Sequence, residues 1–305
     1  FRGHYQPRLP SELGFYDTRI KEVIARQVEL AKQFGIYGFC FHHYFFEGRP
    51  VMRVPYRQIM ENKDLDFPFC LHWANEPWTV RWDGLANKSG VLLNQSHAPK
   101  DDIAFFEDIA PALKDRRYIT VDGRPLVVIY RPDLFPDMQR TIDRWRECSR
   151  KSGIGEIFLA VMQTSFGGAV DPGRFGCDAA IEYPPHNYQL SNCEHKVKLF
   201  DPGFEGNIFD YKDAVSFALQ KQKPSYTLFR GIIPDWDCTP RRANPDLFIN
   251  ANPKNFQDWL EGICVYTESN LPKNQRFIFI NAWNEWAEGA YLEPDRKFGY
   301  GFLNA

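Results

Sequence analysis

Long runs of any one kind are missing from this 305-residue chain. No block of Lys or Arg exceeds two residues, and the net charge is −2. Nucleic acid and anionic membrane are therefore poor candidates for partners. The apolar runs, such as 125–130, are far too short to span a bilayer. No secretory leader is visible, although a chain that begins with Phe rather than Met reads as a processed or excised piece. The seven Cys follow neither CxxC nor Cys/His spacing. Cys40 and Cys70 sit in apolar runs, so they read as core thiols and the expected compartment is the reducing cytoplasm. There is no HxH or HExxH, so no metal and no cofactor is expected. No Gly-rich phosphate turn follows any strand-like segment. No internal repeat or low-complexity linker divides the chain, which reads as one domain over 1–305.

Aromatic residues are what the chain does have, at 16%. Seven short, nearly continuous apolar segments read as strands buried on both faces: 36–41, 68–73, 126–130, 157–162, 179–182, 226–233 and 277–282. Amphipathic helices are expected between them. Ile20, Val23, Ile24, Val28 and Ala31 mark one apolar face after Asp17, and Met138, Ile142 and Trp145 mark another. Further helices follow Asp101, Asp210 and the pair Asn252-Pro253, the last being a cap with Pro at the first helical position. Trp145 and Trp259 keep helical spacing and read as core.

Strand alternating with helix implies parallel strands and right-handed crossovers. An open doubly wound sheet and a closed (β/α)8 barrel both fit, and a barrel places functional residues where strands end. Polar and aromatic residues collect at those ends, in His42-His43-Tyr44, Trp73-Ala74-Asn75-Glu76-Pro77-Trp78, Tyr130-Arg131, Tyr183-Pro184-Pro185-His186, Asp235-Trp236-Asp237 and Trp283-Asn284-Glu285-Trp286. The expected fold is accordingly an α/β (β/α)8 TIM barrel lacking its first strand and last helix.

FINAWNEWAEGAY, residues 279–291, carries the chemistry. Strand alternation puts Trp283 and Glu285 on one side and Asn284 on the other. Glu288 follows past the strand, where Gly289 permits a sharp turn. Cleavage of a glycosidic bond needs such a pair, one group protonating the departing oxygen and one acting as base or nucleophile. Indole walls would desolvate a carboxylate and raise its pKa, as suits a proton donor. Glu-x-x-Glu alone is common on solvated helix faces; its position at a strand end between two Trp favours function. Pocket candidates are Tyr44, Trp73, Asn75, Glu76, Trp78, Tyr130, His186, Trp236, Asp237, Trp283 and Asn284. His42-His43 with His72 and His186 read as hydrogen-bonding wall residues, and at most one of the adjacent pair can face inward. Arg241-Arg242 and Arg81 fit either a clamp on an acidic group or solvated surface. Asp64 and Asp66 read as loop polarity. Asp235-Trp236-Asp237 has the DxD letters of a metal–diphosphate site but reads as rim.

The blocks GHYQPRLPSELGFYD, GIYGFCFHHY, DFPFCLHWANEPWTVRWDG, WDCTPRR and NAWNEWAEGAYLEPD resemble the WbsX-like family of bacterial polysaccharide and O-antigen gene clusters, which is related to glycoside hydrolase family 99. The resemblance covers nearly the whole chain. It implies an additional strand and a GFTEW-like segment ahead of GHYQP. It also implies catalytic roles within NEWxEG: the Glu285 position deprotonates the sugar's own 2-hydroxyl, which attacks C1, and the Glu288 position protonates the leaving oxygen and later activates water. Pro77 and Cys238 depart from the Asn that family members often carry there, so substrate preference does not transfer. The expected function is a retaining, glycoside hydrolase-like enzyme acting on bacterial surface oligo- or polysaccharide. A glycosyltransferase and a non-catalytic sugar-binding barrel are the alternatives. The sequence sets no oligomeric state.

Overall fold

Burial sorts the strands before topology does. Every residue of Phe69–Trp73, Ala179–Glu182 and Leu228–Ile232 is buried, as double-sided packing requires. The computed structural model describes residues 1–80, 90–165 and 169–305. All seven expected segments form strands: β1 (Phe39–Phe46), β2 (Phe69–Trp73), β3 (Arg124–Ile129), β4 (Phe158–Gln163), β5 (Ala179–Glu182), β6 (Leu228–Ile232) and β7 (Ile278–Ile280). They form one parallel sheet in chain order from β1 to β7. Helices α1 (Lys21–Gln33), α2 (Val54–Glu61), α3 (Pro99–Leu113), α4 (Met138–Lys151), α5 (Tyr211–Gln220) and α6 (Pro253–Asn270) lie between or before them. No helix among the described residues is long and apolar enough to cross a membrane.

Helix starts follow local chemistry in part. Asp137, Asp210 and Asn252 each accept a backbone N–H at the head of α4, α5 and α6. Asp17 does not cap α1; its carboxylate is held by the Arg19 guanidinium and amide, and Ile20 stands at the cap without a side-chain bond. Trp145 and Trp259 are fully buried, as expected from their spacing.

The sheet is curled but open. Its outer strands approach each other through side chains: Tyr37 meets Phe277 at 6.0 Å between ring centroids, and Phe39 meets Trp283 at 5.3 Å. No ladder joins β1 to β7 among the described residues. Both edges are correspondingly less covered than the middle of the sheet, with Phe39, Cys40 and Phe41 on β1 and all of β7 half-buried. The (β/α)8 barrel lacking its first strand that the sequence suggests is thus, among the described residues, a curled half-barrel of seven parallel strands that does not close.

Close backbone approach is decisive at Gly231 on β6. A Cβ there would stand 2.1 Å from the carbonyl oxygen of Glu182 on β5. No other residue lets these two strands meet. The same corner buries an ion cluster, with Glu182 accepting from Arg230 Nε at 2.8 Å and from Lys221 Nζ at 2.5 Å. A lone carboxylate at that depth would be costly, and two cations keep its pKa below the usual value against the opposing effect of burial.

Candidate active site

All seven strands run the same way, so their C-terminal ends share one rim. Along β1 the even-numbered side chains face the hollow. His42 and Tyr44 share that face, with ring centroids 6.1 Å apart. His43 and Phe45 turn to the helices, where both meet Phe105 on α3. His42 is in register with His72 on β2, and their rings touch edge to face at 4.7 Å. From there the contacts continue from His72 to Tyr130, then to Tyr183, His186 and Trp236, each pair within 6.0 Å. Trp78 closes the near end against Tyr44 at 5.2 Å. The result is an aromatic arc from β1 to β6, and most of its members are half-buried, as a wall facing a hollow would be.

Glu285 and Glu288 lie on the segment after β7. Asn284–Glu285 pairs antiparallel with Ala290–Tyr291, and a single 3-10 turn over Trp286–Glu288 carries the chain between them. Gly289 has φ +69° and lies so close to Arg8 and Asp237 that a Cβ would come within 3.0–3.1 Å of both. A hydrogen bond from the Asp237 amide to the Glu288 carbonyl, at 2.7 Å, ties this turn to the segment after β6. Arg241 Nη1 then reaches Glu288 Oε1 at 2.5 Å.

Both carboxyls are crowded away from water. Burial pushes Glu288 up to about 7, opposed by Arg241, reinforced by the charge of Glu285 and opposed again by Arg242. Burial also raises Glu285, against Arg241 and the Ala287 amide. The charges of both glutamates reach Tyr44 and Tyr183, and that of Glu288 reaches Tyr130. Two neighbouring carboxyls, both raised by burial, can divide the roles of acid and base.

The candidate residues separate into two groups. Tyr44, Trp78, Tyr130, His186 and Trp236 belong to the arc. Glu76 stands beside it, its charge reaching Tyr130 and its Oε1 held by Arg131 Nη1 at 2.6 Å. The other five are used elsewhere. Trp73 points away from the hollow and stacks on Phe105 at 3.8 Å, with Trp145 5.9 Å away. Parity explains this: if His72 faces inward, Trp73 faces the helices. Asn75 is fully buried and binds the backbone N–H and C=O of Arg131. Trp283 packs on Phe39, whereas Asn284 is exposed and donates to Tyr16 Oη at 3.0 Å. Trp286 likewise turns from the hollow, stacking on Tyr291 and donating to the buried Glu293. Desolvation of the pair thus does not come from the neighbouring indoles in the way the sequence suggested.

Asp237 is the clearest reassignment. Its Oδ2 accepts from His4 Nε2 at 2.9 Å, Gln6 Nε2 at 2.8 Å and Arg8 Nη2 at 3.4 Å, and its Oδ1 accepts from the Thr239 amide and hydroxyl. Asp235 also accepts from Arg8, at 2.8 Å. The DxD letters therefore describe an anchor for the GHYQPR stretch. Among the described residues no group of three His, Cys, Asp or Glu side chains is arranged to hold a metal. Arg81 lies outside the described residues.

His42, His72, Tyr183 and Arg241 join the site without having been among the pocket candidates. For the first three, strand parity was a usable signal; Arg241 comes from a loop whose return path has none. A direct check separates core from site. Trp73→Ala is expected to cost about 3–5 kcal/mol of stability, because it empties a packed aromatic cluster. Sugar affinity measured on the folded protein should stay at the wild-type value.

Comparisons with known proteins bear on the family and the fold. Residues 1–305 match the family described as "Glycosyltransferase WbsX". The uncharacterized protein WxcX of Xanthomonas campestris pv. campestris strain B100 is 41% identical over 306 residues, and that of strain ATCC 33913 is also 41% identical. Both alignments cover 100% of this chain but 44% of the relative, so the chain spans less than half the length of these curated relatives. Among solved structures, a "Glycoside hydrolase-like protein" superposes with TM-score 0.64 at 16% identity, covering 98% of this chain and 88% of the other. A GH99 endo-alpha-mannosidase from Bacteroides thetaiotaomicron gives 0.61 at 13%, covering 100% and 87%. At those identities the likeness speaks for the shared fold.

Proposed function

We propose, from the premise that this chain belongs to the WbsX glycosyltransferase family, that it is a carbohydrate-active enzyme cleaving glycosidic bonds of bacterial surface polysaccharide, of the O-antigen or capsule type. The observation that carries this reading is the Glu285–Glu288 pair. Burial raises both groups, Glu288 up to about 7 with the Glu285 charge adding to it, and their charges reach Tyr44 and Tyr183 of the aromatic arc.

The reaction runs with retention in two steps. Glu285 takes the proton of the sugar 2-hydroxyl while O2 attacks C1. The C1–O bond to the leaving group breaks as Glu288 delivers its proton to the departing oxygen. Glu288, now a carboxylate, then takes a proton from water. The water oxygen attacks C1, the C1–O2 bond of the 1,2-anhydro sugar opens, and O2 recovers its proton from Glu285. Every proton transfer has Glu285 or Glu288 as its donor or its acceptor. The arc supplies ring faces for sugar C–H surfaces, with Glu76 and His186 as partners for hydroxyls.

The complete fold we propose is the (β/α)8 barrel, with an eighth parallel strand seated between β1 and β7. The half-buried apolar residues on both edges and the side-chain contacts that already bridge them support this.

Transfer to a sugar hydroxyl in place of water is the second reading, and the family's description favours it. A donor site built on Asp235 and Asp237 is disfavoured, because Arg8 occupies both carboxylates. The test is incubation with purified surface polysaccharides, read by reducing-end release and by NMR of the first-formed anomer. Reducing ends with retained configuration are expected. Product that forms only with a nucleotide sugar and Mg²⁺ or Mn²⁺, without hydrolysis, would overturn the hydrolytic reading. Saturable binding without turnover would indicate a sugar-binding barrel.

A further inference from the structure

A guanidinium paired with a proton donor works against the acid form. The Arg241–Glu288 ion pair stabilises the Glu288 carboxylate and offsets part of the effect of burial, yet the leaving oxygen needs the acid form. Releasing that pairing when substrate enters favours the donor. A neutral hydroxyl competes weakly with a carboxylate for a guanidinium, whereas another anion matches its fork as well as Glu288 does. Arg242 follows Arg241 in the chain, and its charge reaches Glu288, His186 and Tyr130, so a second cation stands on the same side of the hollow.

We propose that the sugar bound against Glu288 carries an acidic substituent, a carboxylate or a phosphate, which takes Arg241 from Glu288 and so restores the proton to the acid. This rests on the reading of Glu288 as the proton donor and names the class of sugar that reading requires.

The surroundings are consistent with a single titration. Glu285 faces Glu288 from its own segment, and Arg241 and Arg242 face it from the segment after β6. Cys238 on that same segment is pushed up to about 12 by burial, with the Glu288 charge adding to the effect. Tyr44 on β1 and Tyr130 and Tyr183 at the ends of β3 and β5 are raised by burial. Phenols and thiol are therefore neutral near pH 7, and among these described residues Glu285, which burial also raises, is the other carboxyl. An anion that pairs with Arg241 brings one negative charge, which offsets the guanidinium beside Glu288. That change raises the proton affinity of Glu288.

The test follows the Glu288 carboxyl in the full chain by NMR with ¹³C-labelled Glu, assigned with Glu288→Gln. Three probes are titrated at high millimolar concentration: methyl glucuronide, a methyl glucoside phosphate and the neutral methyl glucoside. The two anions are expected to move the midpoint of Glu288 upward by about one pH unit or more, within the range a nearby charge produces. The neutral glucoside should leave it in place. The size of the response to the carboxylate against the phosphate tells which anion the site prefers. In Arg241→Met the anion response should disappear, and in Arg241→Lys, which keeps the charge without the fork, it should be weakened. No movement with either anion, or equal movement with the neutral glucoside, overturns the proposal. Failure of the underlying reading looks different: Glu288→Gln would then turn over substrate normally, whatever the titration shows.

Discussion

Glu288→Gln is expected to lower kcat by about 10²–10⁴-fold, the usual worth of a positioned proton donor, with the fold unchanged. The amide is isosteric and can still receive the Arg241–Glu288 geometry through its oxygen, but it has no proton to give. Glu285→Gln is expected to lose a similar factor of about 10²–10⁴, because the 2-hydroxyl would keep its proton. The pH profile distinguishes the two. The acid form of Glu288 is the working form, so wild-type activity should fall as pH rises through about 7. The ionised form of Glu285 is the working form, and its pKa is raised above the ordinary carboxyl value by burial. Activity should therefore also fall on the acid side, and the wild-type profile should be a bell. Residual activity of Glu288→Gln should lack the alkaline limb, and that of Glu285→Gln should lack the acid limb. Near-normal turnover in either variant would remove the assignment.

Asp237→Ala is expected to destabilise the fold by about 2–4 kcal/mol, because it leaves several part-buried donors of His4, Gln6 and Thr239 without their acceptor. Asp237 is 1% exposed and gathers His4, Gln6, Arg8 and Thr239. Without it, Arg8 keeps Asp235 as its buried carboxylate partner, and the GHYQPR stretch loses its anchor. The measurement is the urea midpoint with the slope unchanged. The effect has a defined pH window. Hydrogen bonds hold the folded Asp237 pKa well below its usual value, against the pull of burial. Its contribution is therefore present above the unfolded value of about 3.9 and is lost as pH falls from there toward the folded one. The stability difference between wild type and Asp237→Ala should be constant near neutrality and shrink in acid. A difference below about 1 kcal/mol at pH 7, the scale of an exposed pair, would show that the network is merely superficial.

Some elements were legible residue by residue. Ala179–Glu182 forms the strand its apolar run suggested, with the same limits. The first strand runs on to Phe46 instead of ending at Phe41, because Glu47 and Gly48 adopt positive φ and fold residues Arg49–Val51 back against Tyr44–Phe46. A polar rim at His42-His43 looked like an end, while the backbone simply continued into a hairpin. Trp73 is an error of parity. Its indole and the neighbouring Asn75 suggested a sugar pocket, although an inward His72 required Trp73 to face outward, where Phe105 and Trp145 were waiting.

The sequence by itself determined the parallel α/β order, the seven apolar strands and the two carboxyls just past a strand end. Each of these follows from periodicity or from neighbours only a few residues away. Tertiary structure alone decided that Asp237 pairs with Arg8, that Arg241 meets Glu288, and that rings from β1 to β6 line one wall. These contacts join residues tens to hundreds of positions apart. They depend on the curl of the sheet and the return path of its loops, which no local pattern encodes.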